Sequence, residues 1–404
     1  MPDAILTLNA GSSSLKFAVF EIGPGERLTA MVRGVLDGIG SRPHLAARDA
    51  AGTDLAHESQ PDDQASDSHE ALLGWLMQWV GEHLGRGVLV AVGHRVVHGG
   101  RDFTGPVRLT ADAVADLDRL TPLAPLHQPH SLAPVRSVMA LQPDLPQVAC
   151  FDTAFHHTMP AVATRFALPR EYEDDGVRRY GFHGLSYEHI AGQLRATAPQ
   201  LAAGRVVVAH LGSGASLCAM QGGRSVDTTM GFTALDGLVM GTRCGSLDPG
   251  VVLYMLQQKG LSAPEVEQVL YRQSGLLGVS GISGDMRALV ASPEPRAREA
   301  VELFAYRVAR ETAALAGSLG GLDGLVFTAG IGEHVPKVRS AVCERLYWLG
   351  ARIDPAANAR HAERIGTPDS RVDVRVIPTD EEAVIAHHTR AVLLAGGNPL
   401  TDTA

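Results

Sequence analysis

The most constraining feature of this 404-residue chain is an internal echo between residues 5–22 and residues 206–220. Each segment passes from an apolar strand through a polar residue and a turn of glycine and small hydroxyl residues into a second apolar strand. Glycine permits close backbone approach, and such a turn directs several N–H groups and hydroxyls at one anion. The echo therefore predicts a duplicated domain with two phosphate-binding turns that face each other in a cleft.

Local patterns extend this α/β scheme along the chain. Residues 88–98 and 147–151 are strand-like, and the second run delivers Asp152 at its carboxyl end, where α/β sheets bind ligands. Apolar residues at helical spacing predict an amphipathic helix over 72–84, opened by a capping box of Asp67 and Glu70. Further helices are predicted over 297–316 and 383–394, and further strands over 325–328 and 372–377.

Composition narrows the classes of function. Lys and Arg total 35 against 44 Asp and Glu, and the net charge of −9 has the wrong sign for a broad nucleic-acid surface. The four cysteines show neither a disulfide framework nor zinc spacing. No export signal and no apolar run of ~18 residues is visible. We expect a cytoplasmic protein with neither a nucleic-acid nor a membrane partner.

Glycine-rich clusters carry the candidate chemistry, because P-loop and Rossmann motifs are absent from the sequence. The clusters occupy residues 93–100, 151–160, 180–190, 210–216 and 241–250. Arg95 and Arg243 suggest an anionic substrate beside an anionic cofactor, since arginine forks bind carboxylate and phosphate oxygens. Either arginine is also compatible with an ordinary salt bridge, and His183 with a satisfied core histidine.

Two acidic residues at strand ends suit a hard cation. Asp152 and Glu381 each follow a predicted strand, and Mg²⁺ is normally held by one or two carboxylates together with substrate phosphates. The adjacent histidine pairs at 156–157 and 387–388 point in different directions, which disfavours zinc. Glu381 has a plainer alternative as a residue of a helix N-terminus, stabilised by the macrodipole.

Nine motifs in series resemble the acetate kinase (acetokinase) family. They are LNAGSSSLKF, GHRVVHGG, FDTAFHHTMP, YGFHG, HLGSGAS, GTRCG, GISGDMR, FTAGIGEH and IPTDEE. The resemblance implies an α/β fold of two duplicated domains of the actin, sugar-kinase and Hsp70 type with a nucleotide cleft between them. It implies an N-terminal acyl- and phosphate-binding domain over 1–150 plus 384–404, and a C-terminal nucleotide-binding and dimerisation domain over 151–383.

The same resemblance implies an activity and its partners. A homodimer would transfer a phosphoryl group between ATP and acetate, giving ADP and acetyl phosphate, with Mg²⁺ or Mn²⁺ as the cation. The implied catalytic residues are Arg95, Asp152, His183 and Arg243. The implied acyl-substrate contacts are Arg95, Val97, Leu126, Phe182 and Ala234. The implied nucleotide contacts are Asn9, Ser12, Ser14, Lys16, His210, Gly212, Ser213, Gly214, Asp285, Met286, Arg287, Gly330, Ile331 and Gly332. The implied metal ligands are Asn9 and Glu381.

Four positions depart from the residues common in the family. Ser213 and Asp380 stand where asparagine is common, Ala234 where proline is common, and Ser246 where aspartate is common. Ala234 leaves the acyl size open, so a propionate or butyrate kinase is the alternative of the same class. A non-catalytic or chaperone-type ATPase on the same fold is the alternative of a different class, and it would lack the arginine pair and the carboxylate pocket.

The chemistry of the implied substrate assigns Asp152 a role. A carboxylate with a pKa of about 4 is already ionised at pH 7, so its phosphorylation needs no general base. A sugar kinase, in contrast, needs an aspartate to take a hydroxyl proton. Asp152 is therefore expected to position the metal or an arginine.

Overall fold

The computed structural model describes residues 3–11, 14–38, 43–59, 69–84, 87–125 and 127–396 of the chain. It divides into two compact units, unit 1 with Met1–Ala154 and Asp380–Ala404, and unit 2 with Phe155–Thr379. The chain therefore leaves unit 1 after Ala154 and returns to it at Asp380, for the last helix. No helix within the described ranges is both long and apolar enough to cross a membrane.

Unit 1 is a mixed sheet with four helices in its described part. Its strands are β1 (Asp3–Ala10), β2 (Ser14–Ile22), β3 (Leu28–Asp37), β4 (His44–Asp49), β5 (Asp54–Ser59), β6 (Val88–Val96), β7 (Val107–Arg108) and β8 (Gln147–Phe151). Its helices, numbered in chain order with those of unit 2, are α1 (His69–His83), α2 (Ala111–Asp118), α3 (Gln128–Leu141) and α16 (Glu381–Ala395). The sheet order is β5-β4-β3-β2-β1-β6-β8-β7.

Unit 2 carries a smaller sheet and more helices. Its strands are β9 (Arg205–Leu211), β10 (Ala215–Gln221), β11 (Arg224–Thr228), β12 (Gly324–Thr328) and β13 (Asp373–Val376), in the order β11-β10-β9-β12-β13. Its helices are α4 (Ala161–Thr164), α5 (Arg170–Asp174), α6 (Gly184–Thr197), α7 (Pro199–Ala202), α8 (Pro249–Gln257), α9 (Ala263–Arg272), α10 (Gly275–Ser280), α11 (Met286–Ala291), α12 (Pro295–Leu319), α13 (Ala329–His334), α14 (Pro336–Arg345) and α15 (Pro355–Ala359).

The two sheets contain the same five-stranded core. In unit 1 the order β3-β2-β1-β6-β8 joins strands by two antiparallel and then two parallel pairings. In unit 2 the order β11-β10-β9-β12-β13 repeats that pattern of pairings. The duplication predicted from the echo of residues 5–22 in residues 206–220 is thus confirmed at the level of topology.

Local sequence signals explain several of these elements. Ser262 and Glu265 form the capping box that opens α9, and the Asp248 side chain accepts from Gly250 N at the start of α8. Leu72, Leu73, Leu76 and Val80 are buried on one face of α1, as their helical spacing predicts. The capping box predicted for α1 begins at Asp67, which lies outside the described residues.

Parallel pairing places the candidate site at one edge of each sheet. β8 and β12 are buried along their full length, because parallel strands are covered on both faces. β6 runs parallel to both β1 and β8, so the carboxyl ends of these three strands lie side by side. In unit 2 the end of β12 pairs with the end of β9, where Thr328 is opposite His210.

Candidate functional site

A chain of hydrogen bonds joins four predicted site residues of unit 1. Arg95 Nε donates to Asp152 Oδ1 at 3.0 Å and to Oδ2 at 3.2 Å, and Arg95 Nη1 donates to Asn9 Oδ1 at 3.1 Å. Asn9 Nδ2 in turn donates to Glu381 Oε2 at 3.2 Å. The ends of β1, β6 and β8 and the first residue of α16 therefore converge on one polar cluster.

The pairing of Arg95 with Asp152 is a buried ion pair with one accessible side. The Asp152 side chain is 1% exposed and that of Arg95 is 19% exposed. Burial alone would lower the pKa of Arg95, but the charges of Asp152, Glu381 and Glu382 outweigh it and raise the pKa. Arg95 is thus salt-bridged and permanently cationic, and it still reaches solvent, where an anion can approach it.

Glu381 combines the two roles that the sequence left open. It is the first residue of α16, whose N-cap Asp380 accepts from Ala383 N at 2.9 Å and pairs with Arg33. Its half-buried carboxyl also contacts Asn9. Burial raises the pKa of Glu381 to about 7; Arg95 opposes this rise, and Asp152 adds to it. The charged form of Glu381 is therefore disfavoured chiefly by its burial, for which Arg95 compensates only in part.

The remaining candidate residues of unit 1 differ in their exposure to solvent. Val97 follows β6 and is buried, whereas Lys16 is exposed on β2 opposite Asn9. The first turn closes when Gly11 N donates to the carbonyl oxygen of Ser14 at 2.8 Å. Ser12 and Leu126, predicted to bind phosphate and the acyl group, lie outside the described residues.

In unit 2, two predicted catalytic side chains meet at the second turn, residues 212–214, between β9 and β10. The turn closes by a hydrogen bond from Gly212 N to the Gly214 carbonyl at 3.0 Å. A Cβ atom on Gly214 would lie 3.3 Å from both His183 Nε2 and Arg243 Nη2. Glycine is thus needed here for close approach, and it brings His183 and Arg243 against one turn.

His183 is held in an unusual conformation at the N-terminus of α6. Its backbone is left-handed, with φ 60° and ψ 25°, which is uncommon for a residue with a side chain. Its ring stacks on His210 with centroids 4.2 Å apart and an interplanar angle of 17°. A non-glycine residue in this region is a form of strain that concentrates at functional sites.

Buried backbone and side chains flank Arg243. Arg243 Nη1 donates to the carbonyl oxygen of Ala234 at 2.7 Å, and both Ala234 and Phe182 are buried. The Phe182 carbonyl accepts from His156 Nε2 at 3.0 Å. Ser246 Oγ, at a position where the family commonly has aspartate, donates to Asp236 Oδ1 at 2.9 Å.

A cavity of about 510 Å³ opens beside the second turn within unit 2. It is lined by Gly212, Ser213, Gly241, Thr242, Gly284, Asp285, Met286, Arg287, Gly330, Ile331, His334 and Val335. Seven of the predicted nucleotide contacts therefore share one cavity. Gly332 does not line it and lies beneath, where an added Cβ would be 3.4 Å from the Phe327 backbone.

α13 forms one wall of this cavity, and it is held by Glu333 and Arg339, two residues that were not predicted from the sequence. The residues that follow β12 form this short helix, which is entered through Ala329 at φ 63°. Glu333 Oε1 accepts from Ala329 N at 2.8 Å, and the fully buried Arg339 donates from Nη1 to the carbonyls of Gly332 and Glu333 at 2.7 and 2.8 Å. Burial lowers the pKa of Arg339 to about 10. No local signal marks Arg339, since its partners are Gly332 and Glu333 on the preceding helix and Asn358 nineteen residues after it.

Comparison with known proteins gives a consistent result. The model of the acetokinase family matches residues 4–387. An acetate kinase of Rhodopseudomonas palustris is 56% identical over 393 residues, covering 96% of this chain and 98% of that protein. Among solved structures, a propionate kinase from Francisella tularensis has a TM-score of 0.87 at 36% identity, covering 96% of this chain and 100% of that one. An acetate kinase from Porphyromonas gingivalis has a TM-score of 0.84 at 34% identity, covering 97% and 100%.

Proposed function

Because the chain belongs to the acetokinase family, we propose that it transfers a phosphoryl group between ATP and acetate by direct attack of the carboxylate on the γ-phosphorus. The observation that carries this mechanism is the approach of His183 Nε2 and Arg243 Nη2 to the glycine turn beside the nucleotide-sized cavity. A cation and a hydrogen-bond donor placed at a phosphate turn are what charge stabilisation of a phosphoryl group requires.

The transfer itself needs no proton acceptor. An acetate oxygen forms a bond to the γ-phosphorus while the bond to the bridging oxygen of ADP breaks, and ADP departs with that electron pair. Acetate is already ionised at neutral pH. Asp152 has both carboxylate oxygens engaged by Arg95, so its role in this mechanism is to orient Arg95 toward the anionic reactants. Arg243 and His183 stabilise charge on the transferring oxygens.

The 510 Å³ cavity is the proposed nucleoside site. Its volume lies in the range of small-ligand pockets. A Cβ on Gly330 would meet no atom within 4 Å, so this glycine leaves open space at the wall. Asp285 and Arg287 form an exposed ion pair there, with Arg287 Nη2 donating to Asp285 Oδ2 at 2.8 Å.

We assign Mg²⁺ to Asn9 and Glu381. Burial, and after it the charges of Asp152 and Glu382, raise the pKa of Glu381, and a divalent cation would favour its charged form. The described residues contain no group of three or more His, Cys, Asp or Glu side chains that could hold a metal. That fits Mg²⁺, which keeps several waters and takes other ligands from substrate phosphates. When bound, the ion neutralises charge on the phosphates.

Glu381→Gln tests the metal assignment through two measurements, the Mg²⁺ requirement of the activity and the Tm of the metal-free protein. The Mg²⁺ concentration for half-maximal activity is expected to rise. With EDTA at pH 8 the Tm is expected to rise as well, because a carboxyl whose folded pKa is raised destabilises the fold above that pKa. Below about pH 4, where Glu381 is protonated in both the folded and the unfolded state, this difference in Tm should disappear. A lower Tm at pH 8 would instead favour the helix-dipole role.

The test of the activity is acyl phosphate formation, trapped as a hydroxamate, with ATP and either acetate or propionate. We expect kcat/KM to favour acetate roughly tenfold, the lower end of discrimination by one methylene, because Ala234 gives a smaller wall than proline. Ala234→Pro should increase this ratio. An equal acetate-to-propionate ratio in the parent and in Ala234→Pro would show that Ala234 does not line the acyl pocket. A preference of the parent protein for propionate would support a propionate kinase, the activity named for the Francisella structure.

We also propose that the protein is a homodimer and that α8 lies in its interface. Val251 to Leu256 are six consecutive apolar residues, yet no residue of α8 is buried within the chain. Leu253 and Tyr254 are 52% and 50% exposed. A second copy that covers this helix would remove that apolar surface from water. Sedimentation should give twice the 42.7 kDa chain mass, and Tyr254→Asp should shift it toward the monomer.

A further inference from the structure

Three histidines of unit 2 share one arrangement. The Nδ1 atoms of His156, His183 and His210 each lie 2.8 Å from a serine Oγ, namely that of Ser225, Ser216 and Ser186 in turn. All three serines are fully buried. A serine hydroxyl can either donate to Nδ1 or accept from it, so the other partners of the serine and of the ring decide which ring nitrogen carries the proton.

In His156 the partner of the second ring nitrogen fixes the tautomer. Its Nε2 lies 3.0 Å from the carbonyl oxygen of Phe182, which can only accept, so Nε2 carries a proton. The ring is 1% exposed, and burial disfavours the charged form. Nδ1 is therefore the unprotonated nitrogen, and Ser225 donates to it.

His183 and His210 reproduce the Nδ1–serine part of that geometry at the second turn. Tyr187 Oη lies 2.5 Å from Ser216 Oγ, and when the phenol donates, the serine hydrogen is available for His183 Nδ1. The opposite edges of the rings approach the turn, with His183 Nε2 3.3 Å from a Cβ built on Gly214 and His210 Nε2 3.9 Å from one built on Gly212. The His183 and His210 rings are stacked 4.2 Å apart, and the cationic Arg243 approaches the same turn. Protonation of either ring would place further positive charge beside Arg243, so both rings are favoured in the neutral form.

We propose that Ser216 and Ser186 are positioning residues that hold His183 and His210 as neutral Nε2–H tautomers. Both rings then present an N–H donor to an anion at residues 212–214, and Arg243 supplies the formal charge there. The identity of that anion as a transferring phosphoryl group rests on the proposed function. The tautomers, in contrast, are a property of the ligand-free protein and are measured without turnover.

The direct test is NMR of the full chain labelled with ¹⁵N-histidine. The shifts of Nδ1 and Nε2 distinguish a protonated from an unprotonated ring nitrogen, and histidine-to-alanine variants assign the signals. We expect His156, His183 and His210 to show a protonated Nε2 and an unprotonated Nδ1. A protonated Nδ1 at His183 or His210 would overturn the proposal. In Ser216→Ala, we expect the His183 signals to move toward a mixture of tautomers.

Kinetics supply the second test, with a matched control. Ser216→Ala is expected to lower kcat about tenfold to a hundredfold with little change in KM for ATP, because misorientation of one catalytic group costs that much. Ser186→Ala should act in the same direction. Ser225→Ala removes the same kind of hydroxyl from His156, whose tautomer the Phe182 carbonyl still fixes, so kcat should stay near the parent value. Equal losses in all three variants would refute the assignment.

A double-mutant cycle separates positioning from packing. If Ser216 acts through His183, Ser216→Ala should cost almost nothing in a His183→Ala background, whereas a packing role predicts additive losses. If Ser216→Ala does not fold, Tyr187→Phe replaces it, with a smaller loss of kcat and the same tautomer shift expected. Parental kcat in His183→Ala would sink the proposed chemistry while leaving the tautomer result intact, so the two failures are distinguishable.

Discussion

Arg243→Ala is expected to fold like the parent protein and to lose about 10²–10³ in kcat, or ~3 kcal/mol of transition-state stabilisation. The physical reason is the position of its guanidinium, with Nη2 3.3 Å from where a Gly214 Cβ would be and Nη1 bonded to the Ala234 carbonyl. Arg243 Nη1 is bonded to a neutral carbonyl oxygen, so loss of this hydrogen bond leaves an uncharged acceptor behind. The fall should appear in kcat and kcat/KM together.

Two companion variants sharpen the Arg243 prediction. Arg243→Lys keeps a positive charge but loses the planar fork, so its kcat should lie between those of the parent and the alanine variant. Arg310→Ala removes an arginine that pairs with Glu311 on the surface of α12, and its kcat should be unchanged. If Arg243→Ala kept the parental kcat, the contact between Arg243 and the glycine turn would serve the fold and not the reaction.

Interactions between residues close in the chain were predictable from the sequence. The capping box of Ser262 and Glu265 and the N-cap at Asp248 span two or three residues, so local chemistry determines them. The two hairpins β1–β2 and β9–β10 were predictable for the same reason, and their similarity predicted the duplicated fold. The resemblance of nine motifs to the acetokinase family then named candidate residues that no pairwise spacing could supply.

Pairings between distant residues were not predictable in this way. Asp152 is 57 residues from Arg95, and only the parallel register of β6 and β8 shows that they form an ion pair. Ser216 and Ser186 lie inside the glycine-rich clusters at 210–216 and 180–190, yet their hydrogen bonds to His183 and His210 depend on how the tertiary fold stacks two rings from different elements. No sequence rule anticipates the left-handed backbone of Ala329, whose N–H donates to Glu333 Oε1.

Arg95→Ala is expected to lose both activity and stability, which separates it from Arg243→Ala. Asp152 is 1% exposed and takes the Arg95 fork on both oxygens. Removal of one partner from such a buried pair leaves an uncompensated charge and costs about 3–5 kcal/mol of unfolding free energy. Because the proposed function makes Arg95 a cation that binds the anionic reactants, its loss should also lower kcat by about 10²–10³. Denaturant unfolding and steady-state kinetics on the same preparation measure the two effects.

The double variant Arg95→Met with Asp152→Asn shows whether the ion pair serves more than the fold. Both charges are then absent, so the unfolding free energy should recover most of what Arg95→Ala lost, because no buried ion is left without its partner. The kcat should stay low, since the guanidinium that Asp152 orients is still missing. Recovery of both stability and kcat would mean that Arg95 only neutralises Asp152, and the carboxylate substrate would then need another cation. Recovery of stability alone assigns the guanidinium to the reaction and Asp152 to its orientation.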